Sequence, residues 1–81
     1  EDIYNNDVLI YPNPTSDIIT VVADENELKQ IVVINSLGQD VTRMTKVQNQ
    51  SETSSVIDLS GLSKGVYFIK TKTSATKVYK Q

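Results

Sequence analysis

Short runs of strand-forming residues alternate with turn-forming residues along the sequence. A run and its turn recur about every 11–12 residues, the spacing that is typical of β-sandwiches. Parallel strands would need connections of about a dozen residues or more, and the turns are too short for that. The pattern therefore predicts an all-β domain, a seven-stranded and mainly antiparallel β-sandwich. The predicted strands cover residues 8–11, 17–23, 29–35, 40–47, 54–59, 66–73 and 76–80.

The composition supports this fold class and excludes several kinds of chemistry. Val, Ile and Thr, which favour strands, provide 26 of the 81 residues. The chain has no Cys, which excludes disulfides and thiolate zinc sites, and no His, the commonest general base and metal ligand. A Ser or Thr nucleophile would have only Lys or a carboxylate to activate it. The sequence thus predicts one small domain that is not an enzyme, with no catalytic, cofactor or metal site.

Proline, glycine and polar residues mark the expected ends of strands. Pro12 and Pro14 lack the backbone donor of a strand ladder, so the first strand is predicted to end before them. Residues 35–38 predict a hairpin turn with a bulge, because Gly38 can adopt a left-handed backbone. Exposed loops are predicted for the polar stretches, residues 24–27 and 48–53, of which the second is the better candidate for disorder.

Alternation within the strands selects the residues that point into the core. Successive side chains of a strand point to opposite faces, so apolar residues two positions apart mark the buried face. In two strands the other face is apolar as well, and Val32, Ile34, Val66 and Phe68 occupy it. These four residues are expected to lie under loops or to form an exposed patch for a partner. The predicted core consists of Ile19, Val21, Ile31, Val33, Val41, Ile57, Leu59, Tyr67, Ile69 and Val78.

Charge is divided unequally between the two halves of the chain. Residues 1–40 hold eight acidic residues and one basic residue, whereas residues 41–81 hold two acidic and seven basic residues. The halves are expected to complement each other in the fold, the alternative being a basic face for an acidic partner. A net charge of −2 with a single Arg argues against nucleic acid as a partner. No apolar run approaches the ~20 residues of a membrane helix, so membrane insertion is not expected.

Two features of the second half have local physical explanations. Tyr67 follows a pair of turns near the start of a strand, where β-sandwiches often have a tyrosine whose hydroxyl bonds back to the connecting turn. Tyr67 is therefore predicted to be such a corner, and Gly65 to serve backbone geometry rather than phosphate binding. Lysines on the predicted final hairpin are expected to prevent edge-to-edge aggregation or to bind another protein. These lysines are Lys70, Lys72, Lys77 and Lys80.

Four motifs resemble a known family in their order and spacing. They are Tyr-Pro-Asn-Pro-Thr-Ser-Asp at 11–17, Ile-Asn-Ser-Leu-Gly-Gln at 34–39, Asp-Leu-Ser-Gly-Leu-Ser-Lys-Gly-Val-Tyr at 58–67 and Lys-Val-Tyr-Lys at 77–80. In these motifs the chain is similar to the type A C-terminal sorting domains of proteins exported by the type IX (Por) secretion system of Gram-negative bacteria. The residues that match the family pattern are Pro12, Asn13, Pro14, Asp17, Gly38, Leu59, Leu62, Gly65, Tyr67, Lys77 and Lys80.

The resemblance implies an Ig-like β-sandwich attached to a larger upstream cargo in the same chain. It implies that the cargo crosses the inner membrane by a separate signal, passes through the periplasm and leaves through the outer-membrane translocon of the type IX system. It also implies that a sortase-like peptidase removes the domain and attaches the cargo to the cell surface. Residues 1–7 are then expected to be a linker near the processing site, and residues 8–81 the sorting domain.

The terminal hairpin is the expected recognition element. Lys77 and Lys80 are expected to bind the translocon, with Val78 holding them in place from the core. Deleting residues 77–81 is expected to abolish export while the domain still folds. Two other functions stay open, an accessory module that binds carbohydrate or protein on a secreted enzyme and a purely structural spacer. The absence of Trp argues mildly against carbohydrate binding.

Overall fold

The computed structural model describes residues 8–81 of the chain, which fold into seven strands in two antiparallel sheets. The predicted all-β, seven-stranded sandwich is confirmed. The linker predicted for residues 1–7 lies outside the described residues. The strands are β1 (Leu9–Tyr11), β2 (Ile18–Val22), β3 (Val32–Asn35), β4 (Lys46–Ser51), β5 (Ser54–Asp58), β6 (Gly65–Lys70) and β7 (Ala75–Lys80).

The chain passes back and forth between the two sheets. The larger sheet has the strand order β1-β2-β5-β4, and the smaller sheet has the order β3-β6-β7. All the named strand pairs are antiparallel, as the short connections require. This order places β7, the last strand, at one edge of the smaller sheet and β3 at the other.

The core lies between the sheets and is built from alternate residues of the strands. Eight of the ten predicted core residues are buried; Ile31 and Val41 are only partly buried and pack against the cluster. Both lie outside the strands, Ile31 just before β3 and Val41 just before a 3₁₀ turn, so the two-residue period does not apply to them. Ile10, Ala23 and Leu62 are buried in addition to the predicted set.

The region between β3 and β5 differs from the prediction. Residues 40–47 were expected to form a strand, but Thr42–Met44 form a 3₁₀ helix. The cause is local, because Asp40 Oδ1 accepts hydrogen bonds from the Thr42 amide at 2.9 Å and from the Thr42 hydroxyl at 2.6 Å. The turn at Gly38 has the predicted positive φ of 83°, but its second arm pairs only through one bridge, between Ile34 and Asp40.

The loop predicted for residues 48–53 is wrong for most of its length. Lys46–Ser51 form β4, which pairs with β5 at the edge of the larger sheet. Every residue of β4 is exposed, so the strand carries no apolar alternation from which it could have been predicted.

The loop predicted for residues 24–27 is also wrong. Glu25–Leu28 form a short α-helix, α1, and Asp24 Oδ1 caps it by accepting a hydrogen bond from the Asn26 amide at 2.8 Å. Glu27 on this helix is buried, although the three residues before it are polar. Within residues 8–81 there is no helix long and apolar enough to cross a membrane.

Candidate functional site

The first and the last family motifs meet along the outer edge of β7. Thr15 pairs with Lys80 in a parallel bridge. In the same region the side chain of Asn13 contacts Lys77 and Tyr79, which are 64 and 66 residues away in the sequence. We call this arrangement of residues 13–17 against residues 77–81 the terminal clasp. It connects the turn between β1 and β2 to the end of the chain, and therefore the larger sheet to the smaller one.

The Asn13 side chain and the Thr15 backbone supply the hydrogen bonds of the terminal clasp. Asn13 Nδ2 donates to the Lys77 carbonyl at 2.9 Å, and the Tyr79 amide donates to Asn13 Oδ1 at 3.0 Å. The Thr15 amide donates to the Tyr79 carbonyl at 2.9 Å, and the Gln81 amide donates to the Thr15 carbonyl at 2.8 Å. These bonds satisfy the outward-directed backbone groups of the strand from the Lys77 carbonyl to the Gln81 amide. That edge of β7 is consequently closed to pairing with another strand.

Other contacts hold the first motif in position. Thr15 is buried, and its hydroxyl donates to the Ile18 carbonyl at 2.8 Å. The Leu59 amide donates to the Asp17 carbonyl at 2.7 Å. Pro12 and Pro14 are exposed on either side of Asn13, and both proline peptide bonds are cis. The two prolines have no backbone N–H group to donate. None is required of them here, because Asn13 and Thr15 make the hydrogen bonds of the terminal clasp.

The terminal residues Lys77, Val78 and Lys80, predicted as a recognition set, have different surroundings. Val78 is fully buried and lies opposite Tyr67 in the sheet. The side chain of Lys80 is only 8% exposed, and its Nζ lies 3.6 Å from Asp17 Oδ1. Lys77 is exposed, with its Nζ 5.4 Å from the centroid of the Tyr79 ring. Of the two predicted lysines, only Lys77 is therefore fully available to a partner.

Tyr67 forms the hydrogen bond expected of a tyrosine corner. Its hydroxyl donates to the Ser63 carbonyl at 2.6 Å, and its ring is buried. Leu59 and Leu62 are buried on either side of the connecting turn, and the Leu62 amide donates to the Leu59 carbonyl at 2.9 Å. Gly65 begins β6 with a φ of 151°, a backbone conformation that strains L residues with a side chain. These residues of the third motif thus shape the turn that leads into the terminal hairpin.

Glu27 anchors the other end of that hairpin, a role that no sequence pattern indicated. The Thr71 hydroxyl and the Thr73 amide donate to Glu27 Oε1 at 2.6 Å and 3.1 Å, and the Thr73 hydroxyl donates to Oε2 at 2.6 Å. Thr71 and Thr73 belong to the connection between β6 and β7. Hydrogen bonds from Thr71 and then Thr73 lower the pKa of Glu27, and they outweigh the desolvation that would raise it. The terminal hairpin is thus fixed at its loop by Glu27 and at its end by the terminal clasp.

Replacing Glu27 by Gln is expected to destabilise the domain at neutral pH and to matter less in acid. The folded-state pKa of Glu27 lies below its ordinary value of 4.5, so its stabilisation is complete above that value and is lost as pH falls through the folded pKa. Gln keeps an acceptor for Thr71 and the Thr73 amide, so the variant removes mainly the charge. Urea denaturation of both proteins over a pH series measures the difference.

The difference between the two proteins is the informative quantity in this experiment. Hydrogen bonds from Ser60 and Thr42 also lower the pKa values of Asp58 and Asp40, so wild-type stability alone would fall in acid for several reasons. A deficit of Glu27→Gln that stays constant from neutral pH into acid would show that the charge of Glu27 contributes nothing.

Replacing Asn13 by Ala is expected to lower the free energy of unfolding by about 1–2 kcal/mol. Asn13 makes two exposed hydrogen bonds, and each contributes about 0.5–1.5 kcal/mol, here at the lower end because water can replace them. Hydrogen exchange of the Tyr79 amide should accelerate more than that of amides in the middle of β6. The variant Asn13→Asp keeps the acceptor for Tyr79 and loses the donor to Lys77, which separates the two bonds. Unchanged exchange at Tyr79 in Asn13→Ala would contradict this role.

Comparisons with known proteins agree with the arrangement of motifs. Residues 9–81 match a family described as "Secretion system C-terminal sorting domain". Beta-agarase A of Zobellia galactanivorans is 35% identical to the chain over 83 aligned residues. This alignment covers 100% of the chain and 14% of the agarase, so the chain spans only a small part of this relative. No solved structure shows significant similarity to the chain.

Proposed function

The chain belongs to the family of secretion system C-terminal sorting domains, and from this premise we propose that the export machinery recognises it as a folded domain with a fixed terminal strand. The family provides the sorting signal of the type IX (Por) pathway, so the domain directs an attached protein to the cell surface or the medium. A sorting domain is not itself a catalyst. The match over residues 9–81 confirms the resemblance that the four motifs indicated.

The terminal clasp is the observation that carries this proposal. It joins the first family motif to the last, so that the residues after Lys77 are part of a sheet edge rather than a free tail. A flexible signal would lose conformational freedom when it docked, whereas a strand that is already ordered avoids most of that cost. Glu27 adds to this order at the loop of the hairpin. A folded signal is therefore the better ligand for a receptor.

The partners and the route are proposed by analogy with the family and not from contacts in the domain. We propose that the outer-membrane translocon of the type IX system binds the domain after the cargo has reached the periplasm. A sortase-like peptidase then removes the domain and attaches the cargo to the cell surface. The cargo lies upstream in the same chain, and the cut falls in or near residues 1–7. The chain aligns with only 14% of its agarase relative, which supports a cargo that is larger than the sorting domain itself.

Fusing residues 1–81 to an inert periplasmic protein tests the sorting function. In a bacterium with a type IX system, we expect the fusion to reach the surface or the medium, and N-terminal sequencing of the released domain should place the cut near residues 1–7. The same reporter without the domain, and the fusion in a strain without the translocon, are the controls. A fusion that stays in the periplasm while its domain is folded would overturn the proposed function.

A further inference from the structure

The structure limits how any receptor could contact the terminal strand. Its outer edge from the Lys77 carbonyl to the Gln81 amide is occupied by Asn13 and Thr15, so a receptor cannot add a strand there. The inward residues are also unavailable, because Val78 is fully buried and the Lys80 side chain is only 8% exposed. The remaining accessible part of residues 77–80 is the outward pair, Lys77 and Tyr79.

The outward pair continues into an apolar surface on the neighbouring strands. Residues opposite each other in antiparallel strands share a face, and the register places Phe68 beside Lys77, Val66 beside Tyr79 and Ile34 beside Phe68. Tyr79 is 48% exposed and Phe68 is 36% exposed, while Ile34 and Val66 are half-buried. We call Ile34, Val66, Phe68, Lys77 and Tyr79 the outer face of the smaller sheet. These include three of the four residues that the sequence marked as a possible patch.

The charges around this outer face favour an acidic partner. Lys77 lies within it, and the exposed Lys70 lies two residues beyond Phe68 on the same face of β6, between Val32 and Ala75. Asp40 lies at the far border, beside Ile34, but its carboxylate already accepts two hydrogen bonds from Thr42. The concentration of basic groups stands out because the chain as a whole has a net charge of −2. Lys77 is already positioned over the Tyr79 ring, which lowers the cost of ordering both on binding.

The larger sheet also exposes apolar residues, but its outer face is different. Leu9 and Ile18 are exposed there, and Ile18 lies in register with Asp58, which in turn lies opposite Lys46. Because the opposite charges of Asp58 and Lys46 are adjacent, this face has no preference for an acidic or a basic partner. It also lacks any residue of the terminal strand, because β7 belongs to the smaller sheet.

We propose that the outer face of the smaller sheet is the docking surface for the export machinery, and that the receptor presents an apolar cleft bordered by carboxylates. Phe68 and Tyr79 enter the cleft, and Lys77 pairs with the acidic border. Aromatic side chains at the centre with a charged residue at the border are the usual composition of an interface hot spot. This proposal rests on the proposed sorting function and adds the surface and the chemistry of the receptor to it.

Export of the fusion protein with single substitutions on the outer face tests the proposal. Tyr79→Ser and Lys77→Glu are each expected to lower the amount of reporter at the surface by about tenfold or more, the effect of losing an interface hot spot. The matched controls lie on the other sheet. Leu9→Ser, which replaces another exposed apolar residue, is compared with Tyr79→Ser, and Lys46→Gln, which neutralises another exposed lysine, is compared with Lys77→Gln. Leu9→Ser and Lys46→Gln are both expected to leave export unchanged. Thermal melting of each fusion verifies that the domain is folded.

A photo-crosslinking amino acid at position 79 or position 9 provides the second measurement. We expect position 79 to crosslink to an outer-membrane protein of the export system and position 9 not to do so. If wild-type fusion is exported and folded Tyr79→Ser and Lys77→Glu are exported equally well, the docking surface is wrong and the sorting function stands. If folded wild-type fusion is not exported, both proposals fall.

Two other occupants of the outer face would also overturn the proposal. Binding of the chain to vesicles that contain an anionic phospholipid, abolished by Tyr79→Ser, would assign the surface to a membrane. A dimer in sedimentation experiments that Tyr79→Ser converts to a monomer would assign it to a second copy of the chain. We expect the wild-type chain to be monomeric and not to bind such vesicles.

Discussion

Deleting residues 77–81 is expected to unfold the domain, and not only to remove a signal from it. The deletion removes Val78 from the core, where burial of a valine side chain contributes about 1.5–3 kcal/mol. It also removes the four hydrogen bonds of the terminal clasp, at about 0.5–1.5 kcal/mol each, and four of the six residue pairs between β6 and β7. A domain of this size has a total stability of about 4–12 kcal/mol. The loss therefore approaches or exceeds the whole stability.

This result would correct the expectation that the shortened domain still folds. Circular dichroism and chemical denaturation of the chain with and without residues 77–81 measure the effect directly. The matched control is the full-length variant Lys77→Thr with Tyr79→Thr, which keeps the backbone, Val78 and the terminal clasp, and is expected to fold. A shortened chain with an unchanged denaturation midpoint would show that the terminal strand is dispensable for folding.

Most of the strands were predictable because their buried residues alternate with outward ones. In β2, for example, Ile19 and Val21 are fully buried, and the register places them opposite Ile57 and Ser55 of β5. The two-residue period is a direct consequence of strand geometry, so it appears in the sequence wherever one face of a strand is covered. β4 lacks this signal because all its residues are exposed, and only its pairing with β5 makes it a strand.

The two polar segments that were expected to be loops show where local sequence is insufficient. Glu27 was interpreted as a loop residue because it belongs to the uniformly polar stretch 24–27. Its burial depends on Thr71 and Thr73, more than 40 residues away, which satisfy the carboxylate. A buried charge is acceptable only where such partners exist, and no local pattern indicates them.

The family residues were predictable as a set, but their separate roles required the fold. Asn13 was identified by its motif, yet its amide substitutes for a strand backbone across 64 and 66 residues of sequence. Lys80 was expected to face a receptor, and instead its side chain is mostly buried near Asp17. An alternating pattern in β7 places Lys80 on the same face as Val78, which is the signal that could have indicated its burial.

The substitution Ile57→Ala is expected to lower the free energy of unfolding by about 2–5 kcal/mol. Ile57 is fully buried in β5, opposite Ile19 and Val47 in the larger sheet, so truncation leaves a cavity in the centre of the domain. Chemical denaturation of the isolated chain measures the change. Ile57→Val should cost about 0.5–1.5 kcal/mol, and Val56→Ala, an outward and half-buried neighbour, should cost less than Ile57→Ala.

The same variants separate recognition of a folded domain from recognition of a linear tail. Ile57→Ala does not alter residues 77–81, so a linear signal would remain intact and export would be normal. Recognition of the fold predicts instead that the exported fraction of the fusion decreases with the folded fraction and is lowest for Ile57→Ala, the variant with the largest expected loss of stability. Normal export of an unfolded Ile57→Ala domain would contradict recognition of a folded signal. The decrease would contradict a linear signal, because the variants share one terminal sequence and differ in the stability of the sandwich that holds it.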